Sequence, residues 1–462
     1  MAKTQKQRKK QILIDPKKFL KSSRIDLVPK ILYVENREGI NADYFERLYL
    51  EHIRAFNSFN ENHKKTKQDF LNEFDKIIDS IKKNGFKKEG IIPATEDFIA
   101  IDGAHRIASS IFLNKNVHVE TQDSKGPNYN YSYFRKRGLP KQILEEIIFN
   151  YFKMKKEGLY VCIFWGSGLD KLNEKEINKE LSEKNIDVVY SKEVSLTETG
   201  KKNIVISCYE NEHWMNDKKN DFSGAIRKVS PCFKNSNKIR FYLLESKNHQ
   251  DVLDFKKEIR ENLGMEHHSV HTSDTYEETR NLCNIFLNEN SLFFINHTKN
   301  MLLSDLLNGK ALGEKENFAV TSSYVLEMFG IRKAEDIDYI DDGGGKIEGL
   351  GGHHGYFSPE EIKELVYNPE NYFRFKGIKF LTLDNVLKFK KSRGEGKDKR
   401  DVFLIEKFFE DKKRFDYKEK IVIIQVKAIS FALKFIKKIP QSTRDKLKNN
   451  KLTMGIYKKL FC

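Results

Sequence analysis

Asp69–Gly85, DFLNEFDKIIDSIKKNG, has apolar residues at Phe70, Phe74, Ile77, Ile78 and Ile81. Steps of three and four residues predict one face of a helix, closed by Asn84-Gly85. The short apolar run Phe98–Ile101 predicts a strand, and Ile107, Ala108 and Ile111 predict a helix after it. Ser124–Pro140 reads as a loop, and Lys141–Gly158 as a helix leading out of it. From Leu159 the pattern changes. A strand at Leu159–Gly166 opens an alternation of helices and strands through 174–185, 186–196, 203–209, 238–246 and 251–264, the signature of an α/β sandwich. A third unit carries a helix in SSYVLEMFG and the strand-like EDIDYI. Near the end, Ile429, Ala432, Leu433 and Ile436 share a helical face, ringed by Lys427, Lys434, Lys437 and Lys438. Such a helix suits packing on its own domain or contact with an anionic membrane surface.

At 462 residues the chain has room for two to four domains. The expected fold is multidomain, mixing α/β and α+β units over 12–157, 158–299 and 300–420, with a basic helical tail at 421–462. Lys plus Arg exceed Asp plus Glu by 16. The charges are spread along the chain without one basic stripe, so nucleic acid is not the expected partner. The five cysteines are widely spaced with no C-x-x-C, which argues against a zinc knuckle or a disulfide framework and for a reducing cytoplasm. The basic N-terminus lacks an apolar h-region, and no apolar run reaches the length of a membrane span. The expected location is the cytoplasm, with peripheral inner-membrane contact open to the tail.

Three stretches carry candidate chemistry. In IDGAHRIASS a strand-like run ends at Asp102-Gly103 and a helix begins near Ala104. Free N–H groups at a helix start, with His105 and Arg106 beside them, suit a phosphate. The plainer reading is a capped turn with Asp102 as N-cap. The stretch resembles the D-G-x-H-R motif of the ParB/sulfiredoxin superfamily over roughly residues 85–122. That resemblance implies nucleotide binding by Asp102, Gly103, His105 and Arg106. Ala104 stands in the turn and no reactive cysteine is present, so peroxiredoxin repair is not implied.

In HHSVHTSDTYEETR, His271 is followed by Ser273, Asp274 and Thr275. A histidine with one ring nitrogen bonded and the other exposed can act as a nucleophile toward phosphorus. Glu277 or Glu278 would supply the bond. The plainer reading is a loop entering a helix, with Asp274 or Thr275 as N-cap and Glu278 closing a capping box. The stretch is similar to the H-G-S-D-S segment of nucleoside diphosphate kinases, whose histidine carries a phosphoryl group. The similarity spans roughly residues 158–297 and includes Arg260, four residues before Gly264. It implies a ferredoxin-like unit with His271 as the carrier and Arg260 on phosphate. The sequence departs from the family in lacking a lysine in FWGSG, in lacking an arginine-bearing loop before the histidine, and in having Thr272 where glycine is usual.

Finally, if Asp336–Ile340 form a strand, Asp336 and Asp338 point to one face and repel unless a cation lies between them. Mg²⁺ or Mn²⁺ would bridge them to substrate phosphates. A polar face on an edge strand is the plainer account. Thr321-Ser322-Ser323, a helix, Arg332 and then D-x-D resemble the nucleotidyltransferase superfamily, as does the later segment with Lys390, Arg393, Lys397 and Asp398. The related fukutin/phosphocholine-transferase group moves a phospho-alcohol from a CDP-linked donor to a surface glycan. The resemblance implies metal at Asp336 and Asp338, phosphate at Ser322, Ser323, Arg332 and Lys390, and a third carboxylate, for which Glu348 is the candidate. His353 and His354 would touch the metal or phosphate, or serve as loop residues, and Asp341 and Asp342 read as turn residues.

Together these stretches lead us to expect an Mg²⁺-dependent nucleotidyl- or phosphoryl-transferase. Its donor would be a nucleoside triphosphate or a CDP-linked compound, and its acceptor a small molecule or surface polysaccharide, as in capsule-type glycan synthesis. The alternatives are a ParB-like nucleic-acid-associated regulator and a scaffold of phosphate-binding folds that have lost their chemistry.

Overall fold

The computed structural model describes residues 10–39, 41–215, 222–234, 236–299, 301, 316–343, 347 and 349–412. Glu348 and the basic tail helix lie outside the described residues. The chain divides into two compact units, Met1–Val386 and Leu387–Cys462. It is a mixed α/β protein, mostly helical, with three sheets among the described residues. Among those residues no helix is long and apolar enough to cross a membrane.

The first sheet contains β1 (Lys10–Ile14), β2 (Ile92–Thr95) and β3 (Val117–Gln122), in the order β1-β3-β2. The helix expected from the apolar spacing runs Lys67–Asn84 and buries Phe70, Phe74, Ile78 and Ile81. Thr66 and Asp69 close a capping box at its start, and Gly85 ends it at φ 70°. The strand expected at Phe98–Ile101 is not formed. The chain reverses tightly after β2, Phe98 sits at φ 58°, and its N–H donates to Thr95 O at 3.0 Å. Only Ala100 bridges back, to Ala94. Within the expected loop Ser124–Pro140, a short helix forms at Tyr131–Lys136, because the Asn130 side chain accepts from the Tyr133 N–H.

The second sheet contains β4 (Leu159–Phe164), β5 (Asp187–Ser195), β6 (Lys238–Glu245) and β7 (Val270–Thr272). Its order is β5-β6-β4-β7, and every pair is antiparallel. Helices Glu174–Glu183 and His249–Leu263 cover one face through Ile177, Leu181, Val252, Phe255 and Ile259, packed against Cys162, Phe164, Tyr242 and Leu244. Each fully buried large apolar side chain contributes about 1.5–3 kcal/mol, so this layer anchors the strands that carry the site.

The third sheet contains β8 (Phe318–Thr321), β9 (Asp338–Asp341), β10 (Gly351–Gly352), β11 (Tyr372–Phe375) and β12 (Ile378–Leu381). The order is β10-β9-β8-β12-β11. The strand expected from Asp336 starts two residues later. The β8–β9 ladder ends at Thr321 opposite Asp338, because Ser322 turns the chain at φ 59°, ψ −134°. Asp336 is therefore exposed outside the ladder, not on a shared strand face with Asp338. Asp341 is no turn residue either. It is the last residue of β9, buried opposite Phe318.

Candidate functional site

His271 occupies the middle of β7, opposite Ile163 of β4, and is 4 % exposed. Its Nε2 lies 2.7 Å from Glu278 Oε1. Among the described residues Nδ1 has no hydrogen-bond partner. Local chain geometry holds Glu278 in place. Thr275 caps helix Tyr276–Phe286 by accepting from the Glu278 N–H at 3.1 Å, and the Asp274 N–H donates to Glu278 Oε2 at 2.8 Å. The carboxylate thus reaches past the cap to Asp274 with one oxygen and to the imidazole with the other. A carboxylate acceptor at Nε2 favours the tautomer with its proton on Nε2 and its lone pair on Nδ1.

His271 lines a cavity of about 460 Å³ together with Arg260, Lys256, Lys228, His267 and His268. Arg260 and Lys256 lie one turn apart on helix His249–Leu263, which ends at Gly264 (φ 58°). Arg260 Nη2 donates to Val270 O at 3.1 Å, and its Nε is buried without a partner. Lys256 Nζ is 3.6 Å from Asp274 Oδ1. Lys228 comes from helix Ser223–Cys232. Tyr209 and Trp214 also line the cavity, with the Tyr209 ring 4.8 Å from the His271 ring.

Burial and the neighbouring cations Arg260 and Lys228 lower the pKa of His267, and burial and Lys228 do the same for His268. Both rings are thereby kept toward the neutral form. Burial pushes the Cys232 thiol up to about 12 and the Cys208 thiol well above its ordinary range. Both thiols are thereby held toward the protonated form.

The D-G-x-H-R stretch is arranged differently. Gly103 takes φ 86° before helix Ala104–Phe112, and a Cβ there would come within 2.5 Å of Ile92. Asp102 is exposed. His105 turns inward, with Nε2 2.9 Å from the Tyr49 hydroxyl and its ring 4.5 Å from Phe74. Arg106 donates to Gly90 O at 2.7 Å and pairs with Asp102 at 3.4 Å. Protein groups therefore engage the His105 ring and the Arg106 guanidinium, while no side chain caps the helix start.

At the D-x-D segment, the Ser323 hydroxyl donates to Asp336 Oδ1 at 3.2 Å, and His353 Nε2 lies 3.3 Å from Asp338 Oδ1. Asp341 pairs with His354, and Asp342 accepts from the Tyr367 hydroxyl at 2.6 Å. Arg332 donates to Lys333 O at 2.7 Å. Among the described residues, no group of three or more His, Cys, Asp or Glu side chains is gathered for a metal. Lys390, in the second unit, is buried against Asp398 at 3.2 Å and Asp401 at 2.8 Å.

Of the expected site residues, His271 and Arg260 share one cavity. Lys256 and Lys228 were not among them. Lys256 was legible as the residue four before Arg260, hence on the same helical face. Lys228 left no sequence signal, because tertiary packing brings it in from a separate helix. Compared with family models, curated proteins and solved structures, the chain matches none of them.

Proposed function

We propose that this protein is a phosphoryltransferase that carries the phosphoryl group on His271 Nδ1. The observation that supports this reading is His271 itself, bonded through Nε2 to Glu278 at 2.7 Å and lining the cavity that holds Arg260. In the first half-reaction the Nδ1 lone pair attacks the terminal phosphorus of a nucleoside triphosphate. The P–N bond forms, the P–O bond to the β-phosphate breaks, and the nucleoside diphosphate leaves. The Nε2 proton stays on the Glu278 hydrogen bond, and the carboxylate balances the imidazolium charge. Arg260 stabilises charge on the phosphoryl oxygens. In the second half-reaction an acceptor hydroxyl attacks phosphorus, the P–N bond breaks, and the hydroxyl proton passes to water. The acceptor we favour is a small molecule or a surface-glycan hydroxyl. The all-antiparallel order β5-β6-β4-β7 supports a ferredoxin-like, nucleoside-diphosphate-kinase-like unit here, and that likeness is an analogy of fold.

A second reading concerns the turn after β8. Ser323 bonds Asp336, and Asp338 stands opposite Thr321 in the ladder, so each aspartate adjoins the serine turn. This oxygen-rich donor set fits Mg²⁺ or Mn²⁺, which take few protein ligands and complete their shell with water and phosphate. Asp336 and Asp338 would hold the ion, which when bound neutralises phosphate charge. Ser322 and Ser323 would orient the phosphate.

One experiment separates the two readings. The protein is incubated with γ-labelled ATP and Mg²⁺ as wild type, His271→Ala and Asp336→Asn/Asp338→Asn. The expected result is acid-labile label on the wild type and on the aspartate variant, and none on His271→Ala. Undiminished label on His271→Ala refutes the carrier role. Pyrophosphate release that disappears only in the aspartate variant would favour the second reading.

A further inference from the structure

We propose that Lys228 is the cation that takes the charge of the incoming phosphate in the His271 cavity. The inference deepens the phosphoryl-transfer reading and rests on it for the identity of the ligand. Lys228 lines the cavity and is 9 % exposed. Its Nζ donates to His267 O at 2.7 Å. The ammonium also lies over the Tyr209 ring, 4.9 Å from the centroid, and over Trp214 at 5.9 Å. An ammonium carries three donors. One is used on the carbonyl, and the other two find no oxygen among the described residues.

The neighbouring lysine provides a contrast. Lys256 has Asp274 at 3.6 Å, whereas Lys228 has no carboxylate at ion-pair distance among the described residues. Two aromatic faces and a carbonyl hold its charge in place without cancelling it. Burial lowers its pKa, so an anion arriving in the cavity gains by neutralising it.

The position is also fixed in advance. Helix Ser223–Cys232 starts hard against the chain that bears Trp214. A Cβ at Gly224 would come within 2.2 Å of Trp214 O and 2.7 Å of Met215 Cα. Glycine at 224 thereby brings the helix, and Lys228 one turn later, close to the aromatic pair. A cation held this way costs little reorganisation when it meets phosphate oxygens.

Inorganic pyrophosphate, titrated calorimetrically into the full-length protein, tests the assignment. Lys228→Met keeps an unbranched side chain and removes the ammonium, with its charge and its bond to His267 O. The expected loss of affinity is about 10- to 100-fold, the size of one or two charge-assisted hydrogen bonds. Lys228→Arg should recover most of the binding, and Lys228→Gln should not, which covers the case in which Lys228→Met fails to fold. Wild-type affinity in Lys228→Met or Lys228→Gln, or no pyrophosphate binding by the wild type, overturns the proposal. If pyrophosphate binding depends on Lys228 but His271 takes no label from ATP, the carrier reading fails and the cation assignment stands. If His271 is labelled and Lys228→Met binds and labels like the wild type, the assignment fails and the carrier reading stands.

Discussion

Replacing Glu278 by glutamine removes one charge and almost no volume, so its effect isolates what the carboxylate does. In the wild type, Oε1 faces the Nε2 of His271 at 2.7 Å and Oε2 accepts from the Asp274 N–H at 2.8 Å. An amide has one oxygen for these two contacts. If that oxygen stays on the Asp274 N–H, the NH₂ group meets Nε2, which must then accept, and the ring proton moves to Nδ1. If the amide flips, two donors meet at Asp274. A hydrogen bond to a charged group is worth about 1.5–3 kcal/mol, and about 1.4 kcal/mol corresponds to a factor of ten. The fraction of His271 with a free Nδ1 lone pair should fall by roughly 10- to 100-fold on that arithmetic. Single-turnover labelling from γ-labelled ATP should slow by the same factor. The loss in stability should be at most about 3 kcal/mol, seen as a lower urea midpoint with an unchanged slope. Labelling at the wild-type rate with a lowered midpoint would refute the tautomer argument, and would leave Glu278 as part of a helix cap alone.

Two further outcomes follow from features outside the cavity. His52 is fully buried between Phe56 and Phe134 with neither ring nitrogen bonded, and burial together with Lys30 holds its pKa well below the ordinary 6.5. His105 is shifted in the same direction by burial and Lys30. For a lowered folded pKa, the stabilising contribution is present above the unfolded value of 6.5 and is lost as pH falls below it toward the folded pKa. His52→Phe should therefore flatten the decline in stability below pH 6.5 in urea titrations, and an unchanged slope would show that His52 is not the group protonated on unfolding. Ser322 holds φ 59°, ψ −134° at the turn from β8 into its helix, a conformation that costs a side-chain-bearing residue about 1–3 kcal/mol. Ser322→Gly should raise the unfolding free energy by about 1 kcal/mol after the greater backbone entropy lost by glycine, and a fall in the urea midpoint would contradict the strain.

The parts of this fold that were legible are those where one local rule acts alone. Phe70 to Ile81 repeat at helical spacing between a Thr66 cap and Gly85, and that helix is present with its capping box. The strand alternation from Leu159 likewise becomes a four-stranded antiparallel sheet. What failed turns on a single backbone choice. Phe98 adopts φ 58° and reverses the chain where its apolar neighbours suggest a strand. Ser322 ends the β8–β9 ladder at Asp338, two residues short of Asp336. A residue other than glycine with positive φ is uncommon, so composition gives no warning of either. At the site, His271 and Glu278 are seven residues apart and within reach of a local argument, whereas Lys228 reaches the same cavity from a helix between other strands.

The three phosphate-type stretches differ less in residue type than in whether their polar groups are already spent. At Asp102–Arg106 the helix start is present, but the imidazole is bound to Tyr49 and the guanidinium to Gly90 O, so a phosphate would have to break protein bonds to gain its own. At Asp336 and Asp338 carboxylate oxygens are already engaged, by the Ser323 hydroxyl at 3.2 Å and by His353 at 3.3 Å, so a cation there would compete with protein contacts. At His271 the bonding is divided. One nitrogen is fixed by a carboxylate, which sets the tautomer, while the other is left for chemistry. Arg260 repeats the pattern, with Nη2 on Val270 O and Nε buried without a partner. A buried donor without a partner costs about 1–3 kcal/mol, and it is retained where a ligand supplies the missing acceptor. That asymmetry, with side chains only partly satisfied by the protein, is the reason the proposal is made at His271 and not at the other two stretches.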